Sequence, residues 1–268
     1  MPRTIAGEVS VMAVRLEKQD AIGHIVLDRP PANSYDRAFM EELDAAIEDA
    51  RNDDGVKAIV VRSASEKFFS AGADVSVFAK SDLDTQNAFV VCSNGAMGKF
   101  ESTPKVVIAA INGHCLGGGL EIALCCDFRI AAEGGYKIGL PEMTLGLLPG
   151  TGGTQRLPRL IGKQKALELM LTGTTLSPQA AKDAGIVDEV VPAAELVVRA
   201  VERARSYAEG PSYAVGQIKL AAVQGYGRSL AEGLAIEREA LIRLFQSEDA
   251  REGVKAFVEK RKPAYKGR

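Results

Sequence analysis

Three short segments carry residues that could do chemistry. The first is Ile108-Ala-Ala-Ile-Asn112-Gly113-His114-Cys115-Leu116-Gly117-Gly118-Gly119-Leu120-Glu121. An apolar run of buried-strand type leads into Asn-Gly, then three glycines, then an apolar helical stretch. Glycine lets the backbone turn sharply and lets a ligand approach the main chain. The N–H groups that open a helix have no partner within it and can donate to an anionic oxygen. Glu121 follows Gly118 by three residues, about one turn along the same face, so a free amide and a carboxylate would point into one pocket. The bland alternative is that the glycines only permit close packing and Glu121 only complements the helix dipole.

The second segment is Gly139-Leu140-Pro141-Glu142-Met-Thr-Leu-Gly-Leu-Leu-Pro149-Gly150, a lone carboxylate in an otherwise apolar loop. Desolvation there would raise its pKa and favour the neutral acid; a solvated surface Glu is the plain alternative. The third is Phe68-Phe-Ser-Ala71-Gly72-Ala73-Asp74-Val75, where small residues flank a glycine before a helix start and again free backbone donors. Neither the glycine triplet nor Gly150-Thr-Gly152-Gly153-Thr-Gln155 has the Gly-x-Gly-x-x-Gly spacing of a dinucleotide site, and no P-loop spacing occurs.

The elements that must position these segments alternate. Val11 to Glu17 and Ile22 to Leu27 read as strands of a hairpin turning at Gln19-Asp20-Ala21. Pro30 and Pro31 end the second strand, and Asp36 precedes a helix to about Ala50, with Phe39, Leu43, Ala46, Ile47 and Ala50 on one face. Ala58 to Val61, Val106 to Ile111 and Phe128 to Ala132 read as buried strands, with a helix over about Asp84 to Phe100. Strands alternating with helices predict crossover units and a largely parallel arrangement. From about Leu157 the pattern turns helical: Lys163 to Leu171, Pro178 to Ala184, a strand at Ile186 to Val191, then helices over Ala194 to Tyr207, Tyr213 to Gln224 and Ser229 to Phe245. In the last of these Leu230, Leu234, Leu241 and Phe245 mark an apolar face that must pack on the α/β body or on a neighbouring subunit.

The 268 residues are 46% apolar and 25% charged, with 33 basic against 35 acidic side chains. That balance supplies no basic field for nucleic-acid backbone; the densest basic cluster, Lys260-Arg261-Lys262 with Lys255, Lys266 and Arg268 nearby, is small at net charge −2. No run approaches the ~20 apolar residues that span a bilayer, and Met1 to Val14 lacks a signal-peptide core. Cys92, Cys115, Cys125 and Cys126 show no CxxC spacing, and His24 and His114 lie in no ligand motif, so no metal site is expected and buried thiols in a reducing cytoplasm are the reading.

Taken in order and spacing, Ala71-Gly-Ala-Asp-Val75, Asn112-Gly-x-x-x-Gly-Gly-Gly-x-Glu121, Pro141-Glu142 and Pro149-Gly-x-Gly-Gly-Thr-Gln-Arg156 resemble the enoyl-CoA hydratase (crotonase) superfamily. The closing Arg251-Glu-Gly-Val-Lys-Ala-Phe257-Val-Glu-Lys260-Arg-Lys262 is similar to the tail of the hydratases themselves, and the resemblance runs from about Val11 to Lys262. It implies an α/β fold, a crotonase-like ββα spiral core over residues 1–200, and a C-terminal helical trimerisation region over residues 201–268. The implied assembly is a homotrimer or a dimer of trimers. It implies hydration of a trans-2-enoyl-CoA, with CoA as part of the substrate and no cofactor.

By the same resemblance the thioester oxygen would be held by the N–H groups of Ala73 and Gly118, Glu121 would act as base on the water and Glu142 as acid. A helix N-terminus favours an ionised Glu121 and apolar neighbours a protonated Glu142. CoA would lie across Lys67, Ala71, Asp74 and Val75. Gly150 would lie near the catalytic water, and Phe257 and Lys260 would come from a neighbouring subunit. Leu140 departs from the family, where many hydratases carry Gln. The pair of glutamates favours hydratase over isomerase; an RNA-binding homologue is the remote alternative.

Overall fold

The computed structural model describes residues 12–268, so Val11, the expected start of the first strand, lies outside the described residues. The core is a six-stranded sheet in the order β1 (Val14–Gln19), β2 (Ile22–Leu27), β4 (Ala58–Ser63), β7 (Val106–Ile111), β9 (Phe128–Ala132), β12 (Glu189–Val191). β1 and β2 form the expected antiparallel hairpin, and every other pairing in this sheet is parallel. β2 and β7 are buried along their whole length, which for β7 is why it reads as an unbroken apolar run.

A smaller sheet runs β11 (Thr175–Leu176), β10 (Ile138–Gly139), β8 (His114–Leu116), β5 (Phe68–Ser70), and β3 (Ser34–Tyr35) pairs in parallel with β6 (Gly72–Ala73). These short strands organise the molecule. β4, β7 and β9 lie side by side in the large sheet, and the strands that follow them, β5, β8 and β10, lie side by side in the small one. After β5 and β6 come α2 (Val75–Phe78) and α3 (Leu83–Ser102), after β8 comes α4 (Gly118–Leu124), and after β10 comes α5 (Gly153–Ile161). Each turn is therefore strand, short strand, helix, and successive turns stack. α1 (Arg37–Asn52), capped by the Asp36 side chain on the Phe39 N–H, buries the five apolar residues its spacing set on one face, and Met40 beside them.

The expected strand over Ile186 to Val191 is shorter than its apolar run. The N–H groups of Ile186 and Val187 turn back to the Ala181 carbonyl at the end of α7 (Pro178–Asp183), so ladder pairing begins only at Glu189. α6 (Lys163–Thr172) precedes this region. α8 (Leu196–Ala208) lies across β2, β4, β7 and β9 and runs through position 200. α9 (Ser212–Gly225) and α10 (Leu230–Phe245) pack on each other, followed by α11 (Glu248–Val258). Leu230, Leu234, Leu241 and Phe245 are 78%, 51%, 47% and 67% exposed, so the apolar face of α10 is not covered by its own chain.

Candidate active site

A cavity of about 460 Å³, walled mainly by apolar groups, opens where the loops following β3, β6, β8 and β10 meet. Both sequence-selected carboxylates line it, together with Ala71, Ala73, Val75, Gly118 and Gly150. Four other expected contacts do not. Lys67 is exposed before β5 with its Nζ 5.8 Å from the Phe68 ring. Asp74 caps α2, accepting from the Ser76 N–H at 3.0 Å. Phe257 is 85% exposed on α11, and Lys260 follows that helix with φ 56°; α11 packs against α9 and α10.

The glycine triplet answers both readings offered for it. Gly117 has φ 54°, and a Cβ there would stand 2.9 Å from Glu142 Oε1. A Cβ on Gly119 would meet the Ser70 carbonyl at 2.2 Å, and one on Gly118 would collide with the Tyr35 hydroxyl. Close packing is thus required. The packing also leaves Gly118 at the first position of α4, and among the described residues its N–H meets no protein acceptor. On the opposite wall the Asp74 N–H donates to the Tyr35 carbonyl at 2.9 Å. Successive amides of an extended strand point to opposite edges, so the Ala73 N–H points away from β3.

Glu121 is 2% exposed in the first turn of α4. Its Oε1 accepts from the Thr151 N–H at 2.8 Å and the Gly153 N–H at 2.7 Å, and its Oε2 is hydrogen-bonded to the Thr151 hydroxyl. Burial pushes the carboxyl above its ordinary value, and these three donors pull it back. The ionised form is thus served by the 151–153 loop, a contribution beyond the helix N-terminus on which the sequence reading relied. That loop is braced in turn. Arg156 makes a two-pronged ion pair with Glu101 at 2.6 and 2.9 Å and donates to the Thr151 carbonyl at 3.2 Å. Gly152, at φ 114°, leaves room for the guanidinium.

Glu142 opens a single 3-10 turn, Glu142–Leu145, after Pro141. Its Oε2 is buried with no hydrogen-bond partner. Burial first, and the charge of Glu121 after it, push its pKa up to about 7. The two carboxyls therefore face one cavity, both raised by burial, one with three donors from the 151–153 loop and the other with a buried Oε2 that has no partner.

Sequence reasoning passed over Tyr35, Thr151, Glu101 and Arg156. Thr151 and Arg156 stood inside a quoted motif, but their partners lie 30 and 55 residues away in sequence. His114 is packed against Phe68 and Tyr136, and its Nδ1 accepts from the Lys137 N–H at 3.2 Å. Leu140, the departure noted above, is 1% exposed and packs against Gly153.

Residues 17–268 match the sequence model of the enoyl-CoA hydratase/isomerase family. The chain belongs to that family. It is 39% identical to a putative enoyl-CoA hydratase/isomerase of Bacillus subtilis, YngF, over 253 residues, which cover 93% of this chain and 96% of that protein. It is 40% identical over 261 residues to a probable enoyl-CoA hydratase of Rhizobium meliloti, with 97% and 100% covered. Its fold superposes on the crystal structure of an enoyl-CoA hydratase from Geobacillus kaustophilus with a TM-score of 0.94 at 44% identity, covering 97% of this chain and 98% of that one. The stacked strand, short strand, helix turns are the crotonase spiral, and the α9–α11 region is its helical C-terminal part. No helix among the described residues is long and apolar enough to cross a membrane.

Proposed function

We propose that this family member is an enoyl-CoA hydratase, a hydro-lyase that adds water syn across the double bond of a trans-2-enoyl-CoA to give a 3-hydroxyacyl-CoA. The observation that carries this reading is the pairing, on one cavity, of a donor-held Glu121 with a Glu142 whose buried Oε2 has no partner. Attack of water at C3 places negative charge on the thioester oxygen. The Gly118 and Ala73 amides are the donors for it, and a preorganised donor of that kind is worth about 3–4 kcal/mol. Glu121, whose ionised form accepts from Thr151 and Gly153, takes the proton of the attacking water. Glu142, its pKa pushed up to about 7 so that a large fraction stays protonated near neutral pH, gives its proton to C2.

CoA crosses the Ala71 and Ala73 to Val75 wall, with Lys67 and Asp74 at its outer end. Gly150 lies beside the water. Phe257 and Lys260, which do not line the cavity of their own chain, serve the site of an adjacent subunit in a homotrimer or a dimer of trimers. A cation beside the nucleotide phosphates suits that place. CoA enters and leaves as part of the substrate, the reaction needs no further cofactor, and a cytoplasmic setting suits four free thiols.

The test is loss of the enoyl-thioester absorbance on adding crotonyl-CoA. Glu121→Gln and Glu142→Gln should each slow it by at least about a hundredfold. Retention of hydration within tenfold by both variants refutes the assignment. Conversion of a 3-enoyl-CoA without any hydration of crotonyl-CoA would make the protein an isomerase instead.

A further inference from the structure

Tyr35 is 1% exposed and lines the cavity, yet neither carboxylate is hydrogen-bonded to it. Its ring lies over Phe89 with centroids 5.9 Å apart and near Phe39 at 6.1 Å. A phenylalanine would make those contacts equally well, so the ring does not explain the hydroxyl. A buried hydroxyl needs a partner, and this one has Thr151 Oγ1 at 3.3 Å, across 116 residues of sequence. The same Oγ1 is bonded to Glu121 Oε2, while the Thr151 N–H holds Oε1. The hydroxyl also stands against Gly118, where a Cβ would strike it.

The proton order along this string is fixed by chemistry. Ionised Glu121 has no proton to give, so Thr151 must donate its single hydroxyl proton to Oε2. The remaining acceptor capacity of that hydroxyl then faces Tyr35. Burial and the negative charge of Glu121 keep the phenol protonated, so Tyr35 donates to Thr151. Oε1 already accepts two N–H groups and Oε2 only one donor. The oxygen left with capacity for an incoming proton is Oε2.

We infer that Tyr35 is a positioning residue for Glu121. Its hydroxyl donates to Thr151, aims the threonine proton at Oε2, and so fixes which carboxylate oxygen accepts the proton of water and how basic that oxygen is. The inference rests on the reading of Glu121 as the base. It concerns a residue that does not touch the reacting atoms, and its effect passes through Thr151 alone.

The experiment is the pH profile of kcat/KM for crotonyl-CoA hydration by Tyr35→Phe, Thr151→Val, Thr151→Ser and the Tyr35→Phe, Thr151→Val double variant, with Glu121→Gln alongside. At 3.3 Å the Tyr35 contact is long for O–H···O, so its loss should be modest. We expect kcat to fall roughly three- to tenfold, KM to stay within about twofold, and the acid limb to move up by about half a pH unit, because a carboxylate with weaker donors holds its proton more tightly. Thr151→Val should move the limb further, Thr151→Ser should restore it, and the double variant should match Thr151→Val, since Tyr35 has no separate route to Glu121. An unmoved acid limb in Tyr35→Phe, or shifts that add in the double variant, overturns the inference while leaving Glu121 as base. Hydration within tenfold of wild type by Glu121→Gln removes the base itself, and the inference with it.

Discussion

At the scale of single residues the site is a contrast between two carboxyls, and pH separates them. Glu142 must be protonated to act as acid, so kcat/KM should decline as pH rises through about 7. Glu121 must be ionised, so the rate should also decline in acid. The same raised pKa bears on folding. A carboxyl whose native pKa lies above its unfolded value favours the native state below the unfolded pKa and costs stability as pH rises through the native one. Glu142→Gln should therefore raise the thermal midpoint at pH 8 and leave it nearly unchanged at pH 4; an equal shift at both values would mean that Glu142 is not held neutral. Glu121 and Glu142 were legible in the sequence because each sits in a local pattern, a helix start after glycines and an apolar loop. Tyr35 was not, because nothing within ten residues of it hints at a hydroxyl partner 116 positions away.

At the scale of elements, the long pieces were legible and the short ones were not. α1 and β7 are several turns or residues long, with a face or run to count. β3, β6, β10 and β11 have two residues each, too few for any period. They are nevertheless what brings Ala73 alongside Tyr35 and Gly117 onto the Gly139 carbonyl at 2.9 Å. The brace under the 151–153 loop belongs to this scale. Arg156 and Glu101 join the start of α5 to the end of α3, and neither needs to touch substrate for Glu121 to depend on them. Arg156→Met would leave Glu101 without its partner and free the Thr151 carbonyl, loosening two of the three donors to Glu121. We expect kcat to fall about tenfold or more with KM changed less, read by steady-state kinetics at saturating crotonyl-CoA. An unchanged kcat would show that the loop holds its shape without the brace. Gly118→Ala belongs here too, since its Cβ would meet the phenol of Tyr35 and push on β3, the strand that pairs with the one carrying Ala73.

At the scale of the whole molecule, one buried ion pair fastens the helical region to the spiral. Lys219 of α9 is 8% exposed, lies 2.8 Å from Asp127 before β9, and donates to the carbonyls of Phe100 and Lys105 at 2.7 and 2.8 Å. Burial pushes both partners toward their neutral forms, so the pair adds little net stability, yet losing one member strands the other. Lys219→Met should cost about 3 kcal/mol, seen as a lower denaturant midpoint; a midpoint within experimental error of wild type would show that Asp127 accepts its proton without strain.

That tether holds α9 in place, and α10 packs on α9 while its outer face stays bare. Leu230, Leu234, Leu241 and Phe245 are each about half exposed or more on the isolated chain, and burying such side chains is worth roughly 1.5–3 kcal/mol apiece. Four of them on one helix are a strong incentive to associate. The same association would carry a neighbour's Phe257 and Lys260 toward a cavity that they do not line in their own chain. The wild-type protein should then sediment as three or six chains. Leu234→Glu with Leu241→Glu should give a single chain of unchanged helical content, because both side chains are already about half exposed, in the open groove between α9 and α10. That single chain should bind CoA thioesters more weakly and hydrate crotonyl-CoA more slowly, although every residue around its own Glu121 is intact. A wild-type protein that sediments as one chain at full activity would leave the face of α10 without this role and place the whole reaction within a single subunit.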